Sequence, residues 1–175
     1  MTRHPARDDG PGLGDGRRRA GTGVRHHEGV PPRKPAPEKI RAALDAQLAA
    51  LGEPSYTGPE EGLLPACVPA VLRAYERGLR PERDAARFAV RHLLDRLAAA
   101  APGNAVEVRV PPFAAVQCIE GPRHTRGTPP NTVETDGHTW LRLATGALTW
   151  EEALAQGAVH ASGTRADLSP YLPIT

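Results

Sequence analysis

The sequence lacks a long apolar run, a clustered set of cysteines and a strong net charge. A bilayer-spanning helix needs about 20 consecutive, mostly apolar residues, so we expect no membrane span. The N-terminal stretch MTRHPARDDGPGLGDG has no apolar core segment, which argues against a secretory signal peptide. The formal net charge of +2 is too small to predict nucleic-acid binding by the chain as a whole.

Cysteine is scarce. The two cysteines, Cys67 and Cys118, are far apart in the chain and form no CxxC motif. We therefore predict two reduced, buried thiols in a cytoplasmic protein rather than a disulfide.

Proline and glycine, in contrast, are abundant, with 19 and 18 copies among 175 residues. They are concentrated in residues 1–37, where arginine is also common and branched apolar residues are almost absent. Such a segment cannot bury enough surface to offset its chain entropy, so it is predicted to be a disordered tail. Its RRR run at 17–19 could contact nucleic acid or an acidic surface. The adjacent His26 and His27 are poor convergent metal ligands.

Residues 38–100 are predicted to form a helical part of the fold. The stretch PEKIRAALDAQLAAL has apolar residues at helical spacing, with Pro37 at its first turn. The next segment, LLPACVPAVLRAYERG, contains two prolines, and we expect its helix to start cleanly at Pro69 because proline interrupts a helix. The clearest helix spans 80–100, and Phe88 lies off its apolar stripe, which predicts contacts on two sides.

From residue 101 onward the pattern changes to a period of two, which is typical of strands. VEVRV at 106–110 alternates apolar and polar residues, and further strands are predicted at 113–119, 131–135 and 158–161. Both faces of the 113–119 segment are mostly apolar, so we expect it to be a central strand. Residues 101–175 would thus carry about four strands and the C-terminal helices, and 38–175 would be one domain.

The stretch ETDGHTWLRLATGALTWEEALAQGAVHASG, at 134–163, has no obvious nucleophile, metal-ligand set or phosphate loop. Asp136 is placed to cap a helix that ends at a glycine. Thr149 and Glu152 form the pattern of a capping box for a second helix. Trp140 and Trp150 are most simply core residues, and their alternative role is the wall of an apolar cavity.

The order D-x-x-T-W-L-x-L-x-T-G-x-L-T-x-x-E-A-x-x-x-G-x-V-x-x-S-G, which begins at Asp136, resembles the C-terminal half of the sterol carrier protein fold. The resemblance covers 85–170 well and 38–84 only vaguely, and the longer string RVPPFAAVQCIEGPRHTRGTPPNTVETD is similar to the actinobacterial branch of that family. It implies an α+β domain with a small, mostly antiparallel sheet, helices on one face, and an apolar tunnel between them. The four predicted strands are one fewer than the usual five.

The leading prediction is a non-enzymatic binding or carrier module for a small apolar or amphipathic, lipid-like ligand, with no cofactor, metal ligand or catalytic residue. A polar loop could hold the ligand's carboxylate or phosphate head group, since arginine suits bidentate contacts to such groups. Alternatively, the loop is a rigid connection whose arginines pair with Glu120 or Glu134. The candidate loop residues are Arg123, His124, Arg126 and Asn131, and the candidate lining residues are Val116, Cys118, Trp140, Leu143, Leu148, Val159 and Leu168.

Two other functions stay open. Domains of this fold also follow a metal-binding helical bundle in thiol-dependent maleylpyruvate isomerases, and the chain could be an accessory domain of that kind. Residues 38–100 are too short for the bundle and hold one histidine, His92, so no metal ligand is transferred from that family. Only Cys118, His124 and His138 could form a Cys/His cluster. The third possibility is an interaction protein whose basic tail docks on nucleic acid or acidic lipid.

Overall fold

The computed structural model describes residues 35–121 and 131–174. Nearly all of the predicted tail, residues 1–37, therefore lies outside the described residues. The described residues form one compact unit. None of the described helices is long and apolar enough to cross a membrane.

The described chain is an α+β fold in which three helices precede the first strand. Two short 3₁₀ turns, Glu60–Gly62 and Ser169–Tyr171, accompany the regular elements. In chain order, the helices and strands are α1 (Pro37–Ala50), α2 (Leu63–Glu76), α3 (Arg83–Ala100), β1 (Val106–Val110), β2 (Ala114–Cys118), β3 (Thr132–Thr135), α4 (Gly137–Thr145), α5 (Trp150–Ala155) and β4 (Val159–Ser162).

The four strands form one sheet in the order β2-β1-β3-β4. β1 pairs with β2 in antiparallel orientation and with β3 in parallel orientation, while β3 and β4 are antiparallel. The sheet is therefore mixed, and the expectation of a mostly antiparallel sheet is wrong. β3 thus lies beside β1 rather than beside β2, the strand that precedes it in the chain.

β2 lies at an edge of the sheet, so its predicted central position is also wrong. Two of the apolar residues that suggested a second apolar face, Phe113 and Ile119, flank the strand rather than belonging to it. Within the strand, the residues on the outer face are Ala115 and Gln117, and both are exposed. Only the inner face of β2 is therefore apolar.

The helices pack against one face of the sheet. The buried valines of β1 alternate with half-buried Glu107 and Arg109 on the opposite face, where their side chains form an ion pair of 2.6 Å. On β3, Val133 and Thr135 are buried, and Glu134, the cross-strand neighbour of Arg109, is exposed. The apolar face and the helices above it enclose the core, while the other face is polar.

The second helix begins at Leu63 and continues through Pro69, contrary to the predicted start at Pro69. A proline inside a helix costs about 3 kcal/mol, because it lacks the N–H that would bond one turn back. Burial of apolar side chains outweighs this cost, since about 25 cal/mol is gained per Å² removed from water. The buried residues of α2 are Leu63, Cys67, Val68, Ala70, Val71 and Ala74.

The third helix begins at Arg83, three residues after its predicted start at residue 80. Phe88 is buried with 6% of its surface exposed, and the Arg87 guanidinium lies 5.1 Å from the centre of its ring. α3 contacts α1, α2, α4 and β2. The prediction that this helix has contacts on more than one side is therefore confirmed.

Candidate functional site

The seven apolar candidate residues lie in the core between the helices and the sheet. Six are almost completely inaccessible to solvent, and Val116, on the inner face of β2, is partly buried against them. The exposed fractions are 0% for Cys118, Trp140 and Leu168, 1% for Leu143, 4% for Val159 and 5% for Leu148. These side chains are thus packed among other side chains of the core.

Trp140 is the bulkiest of the fully buried side chains. It projects from α4 towards the middle of α3, where its indole N–H donates to the carbonyl oxygen of Val90 at 3.3 Å. A buried indole usually finds such an acceptor. The prediction that Trp140 and Trp150 are core residues is confirmed, because Trp150 on α5 is also buried, with 7% of its surface exposed.

Asp136 holds the start of α4. Its carboxylate accepts hydrogen bonds from the backbone N–H groups of His138 at 2.8 Å and Thr139 at 3.0 Å, and from the Thr139 hydroxyl at 2.6 Å. Partial burial acts to raise the pKa of the Asp136 carboxyl, but the hydrogen bonds from Thr139 and His138 outweigh it and lower the pKa. The predicted cap is confirmed, and this carboxylate has a structural role.

The second predicted cap is also present. The hydroxyl of Thr149 accepts from the backbone N–H of Glu152 at 3.2 Å, and the Glu152 carboxylate accepts from the backbone N–H of Thr149 at 2.9 Å. Gly146, between the two helices, has a φ of 78° and ends α4 in the left-handed conformation. Local sequence signals therefore determine the start of α5 and both ends of α4.

Of the polar loop, Arg123, His124 and Arg126 lie outside the described residues, and Asn131 is described. Only 6% of Asn131 is exposed, and its amide group bonds to two backbone groups. The Nδ2 group donates to the carbonyl oxygen of Ala105 at 2.8 Å, and Oδ1 accepts from the backbone N–H of Arg165 at 3.0 Å. Asn131 thus anchors the end of the loop against the start of β1.

Arg165 is a residue at this loop that the sequence did not single out. Its guanidinium donates to the carbonyl oxygen of Glu120 at 3.4 Å, and its backbone bonds to Asn131. It therefore bridges the segments on either side of residues 122–130. A signal for this contact is absent from the local sequence, because Arg165 is separated from both partners by more than 30 residues.

The thiols and histidines form no metal site within residues 35–121 and 131–174, where no group of three His, Cys, Asp or Glu residues could hold an ion. Burial raises the pKa of the Cys67 thiol to about 12 and that of the Cys118 thiol to about 11. His138 stacks on Tyr75, with 4.5 Å between the ring centres. His92 is half-buried on α3, where burial lowers its pKa.

A pocket of about 380 Å³ opens elsewhere, beside the first helix. It shares no residue with the predicted site. Arg41 and Asp45, which line it, hold the backbone of Tyr56 through bonds of 3.1 and 2.8 Å. The lining residues are Pro37, Glu38, Arg41, Ala42, Asp45, Glu60 and Leu63.

Residues 82–174 match the protein-family model described as "Bacterial SCP ortholog". The chain belongs to this bacterial SCP family. The match extends from α3 to the C-terminal 3₁₀ turn and so includes the whole sheet and all seven apolar candidates, which confirms the resemblance to sterol carrier proteins. α1 and α2 precede the matched residues. No curated protein matches the chain.

Proposed function

We propose that this bacterial SCP family protein is a non-enzymatic carrier or binding module for a small apolar or amphipathic, lipid-like molecule in the cytoplasm. The observation that carries the proposal is the one-sided sheet within the matched residues. Its apolar face and the helices above it enclose an interior in which none of the buried side chains that the structure describes is charged. Removing ligand surface from water in such an interior yields about 25 cal/mol per Å² before ordering costs.

The proposed apolar part of the site is formed by Val116, Cys118, Trp140, Leu143, Leu148, Val159 and Leu168. The proposed polar part is formed by Arg123, His124 and Arg126, with Asn131 fixing the end of their loop. Arginine can donate two parallel hydrogen bonds to a carboxylate or phosphate. The ligand would therefore have an apolar body and an anionic head group.

The chemistry of the polar groups near this interior supports binding rather than catalysis. The carboxylates of Asp136 and Glu152 cap helices, and their oxygens accept hydrogen bonds from backbone N–H groups. A raised pKa keeps the Cys118 thiol protonated near neutral pH, and a protonated thiol is a poor nucleophile.

Native mass spectrometry of the freshly purified full chain tests the proposal directly, because a carrier is expected to retain a small molecule. A titration with palmitate then tests the loop. We expect Arg123→Ala/Arg126→Ala to weaken palmitate binding about tenfold, and to change the binding of the uncharged hexadecanol little, since the loss of charge-assisted bonds affects only the carboxylate.

The matched control is Arg80→Ala/Arg96→Ala, which removes the same charge from exposed positions that do not belong to the loop. Equal palmitate affinity in both double variants would remove the loop from the site. Absence of both a retained molecule and palmitate binding by the wild-type chain would refute the carrier function.

A further inference from the structure

The interior that would receive the ligand is already occupied by the protein's own side chains. The candidate residues expose between 0% and 5% of their surface, apart from the partly buried Val116. Protein cores are packed as densely as organic crystals. A ligand of lipid size therefore has to displace part of the core, and one of the buried side chains has to give way.

Trp140 differs from the other six candidates in ways that bear on this displacement. It is the largest side chain among them, so its movement frees the most space. Its one polar contact, to Val90, measures 3.3 Å, which is longer than the usual range for an N–H···O bond. The Val90 carbonyl lies inside α3, where the backbone N–H of residue 94 is its regular partner. Release of the indole therefore leaves that carbonyl bonded.

The helix that carries Trp140 is short and has a non-helical residue at each end. α4 has 9 residues and lies between Asp136, in an extended conformation, and Gly146, in the left-handed conformation. Strand β3 precedes this helix and α5 follows it. A change in the tilt of α4, or rotation of the indole, can thus occur without altering the pairing of the strands.

We propose that the Trp140 indole lies where the apolar part of the ligand binds and that binding displaces it, which sets a minimum apolar size for the ligand. This inference rests on the proposed carrier function. A buried tryptophan removes about 150–250 Å² from water, which equals the burial of roughly 5–8 methylene groups. Shorter chains cannot compensate for exposing the indole, so the site selects ligands with long apolar chains.

The experiment compares octanoate with palmitate on the full chain, with binding measured by equilibrium dialysis. We expect the wild-type protein to bind palmitate at least a hundredfold more tightly than octanoate. Trp140→Leu removes much of the displaced surface, so we expect it to bind octanoate at least tenfold more tightly than the wild type does. Trp140→Phe is the milder second variant and should change octanoate affinity in the same direction.

A spectroscopic measurement reports on the indole while Trp140 itself stays in the protein. In Trp150→Phe, Trp140 is the remaining tryptophan, and we expect palmitate to shift its indole N–H resonance and its fluorescence emission. In Trp140→Phe, the signal of Trp150 should change little. Palmitate binding with an unchanged Trp140 signal would overturn the inference and leave the carrier function standing. An absence of palmitate binding in the dialysis would overturn the carrier function and this inference with it.

Discussion

Asn131 offers a sharp test of the structure, because its side-chain amide joins three segments of chain in a buried position. We consider Asn131→Asp, which preserves the shape of the side chain. One oxygen of the introduced carboxylate would still accept the hydrogen bond from the backbone N–H of Arg165. The other would face the Ala105 carbonyl oxygen, which lies 2.8 Å from the present Nδ2 atom, with no hydrogen between the two oxygens.

The introduced carboxyl is expected to have a raised pKa, since burial and the facing carbonyl disfavour its charged form. A shift of about 2–3 units corresponds to about 3–4 kcal/mol of lost stability at neutral pH. For a domain of this size, that loss lowers Tm by about 10 °C. An acid with a raised folded-state pKa destabilises the fold only above its unfolded pKa of about 3.9. The loss should therefore be small at pH 4 and nearly complete at pH 7.5.

Thermal unfolding followed by circular dichroism at pH 4 and pH 7.5, relative to the wild type at each pH, measures this effect. Asn131→Ala leaves the buried Ala105 carbonyl without its partner and should cost about 1–3 kcal/mol at both pH values. The matched control is Asn104→Asp, an amide-to-carboxyl change at an exposed position, which should stay within about 0.5 kcal/mol of the wild type. A wild-type Tm for Asn131→Asp at pH 7.5 would refute this description of the loop anchor.

Two further predictions concern the first turn of α4 and the buried thiols. Asp136→Ala should lower the free energy of unfolding by about 1 kcal/mol at pH 7, and Asp136→Asn by less, because asparagine also caps helices. The pKa of Asp136 is lowered in the folded state, so its contribution to the free energy of unfolding is present above the unfolded pKa of about 3.9 and is lost as pH falls through the folded pKa. Equal melting temperatures of the wild type and both variants at pH 7 would contradict the cap. Cys67 and Cys118 should react with a thiol reagent at pH 8 far more slowly in the native protein than in denaturant, since burial raises both pKa values, and labelling at equal rates would show that the thiols are accessible.

The features that the sequence predicted correctly depend on neighbouring residues. The cap at Asp136 and the capping box at Thr149 each involve side chains within three positions of each other, so their spacing can be read directly. The helical stripes and the alternating strand at 106–110 are likewise local patterns. The family resemblance, which the matched residues confirm, also depends on the order of these local signals.

The features that the sequence could not predict depend on contacts between distant segments. The edge position of β2 depends on which strands pair, and a strand's own residues do not specify its neighbours. The passage of α2 through Pro69 depends on packing against α1 and α3. Ile119 adopts a φ of 65°, which a β-branched residue rarely does, and no local signal predicts it.

In the candidate site, too, the features set by local pattern were predictable and those set by distant contacts were not. Burial of Trp140, Leu143 and Leu168 follows from the apolar pattern and is observed. The residue types alone do not distinguish the lining of a cavity from a filled core, because the same apolar side chains are found in both. The role of Asn131 as an anchor depends on Ala105 and Arg165, which come from other parts of the chain.

Within the described residues, the sheet carries a helical layer on one side only, and this has a consequence for how the molecule would respond to a bound ligand. Expansion of the interior requires movement of a single layer, while the strand ladder can keep its hydrogen bonds. Amide protons in β1 and β3, the two inner strands, should then exchange with solvent at rates set by global unfolding. Those of α4 should exchange through smaller, local openings, and palmitate should slow exchange in this helix first.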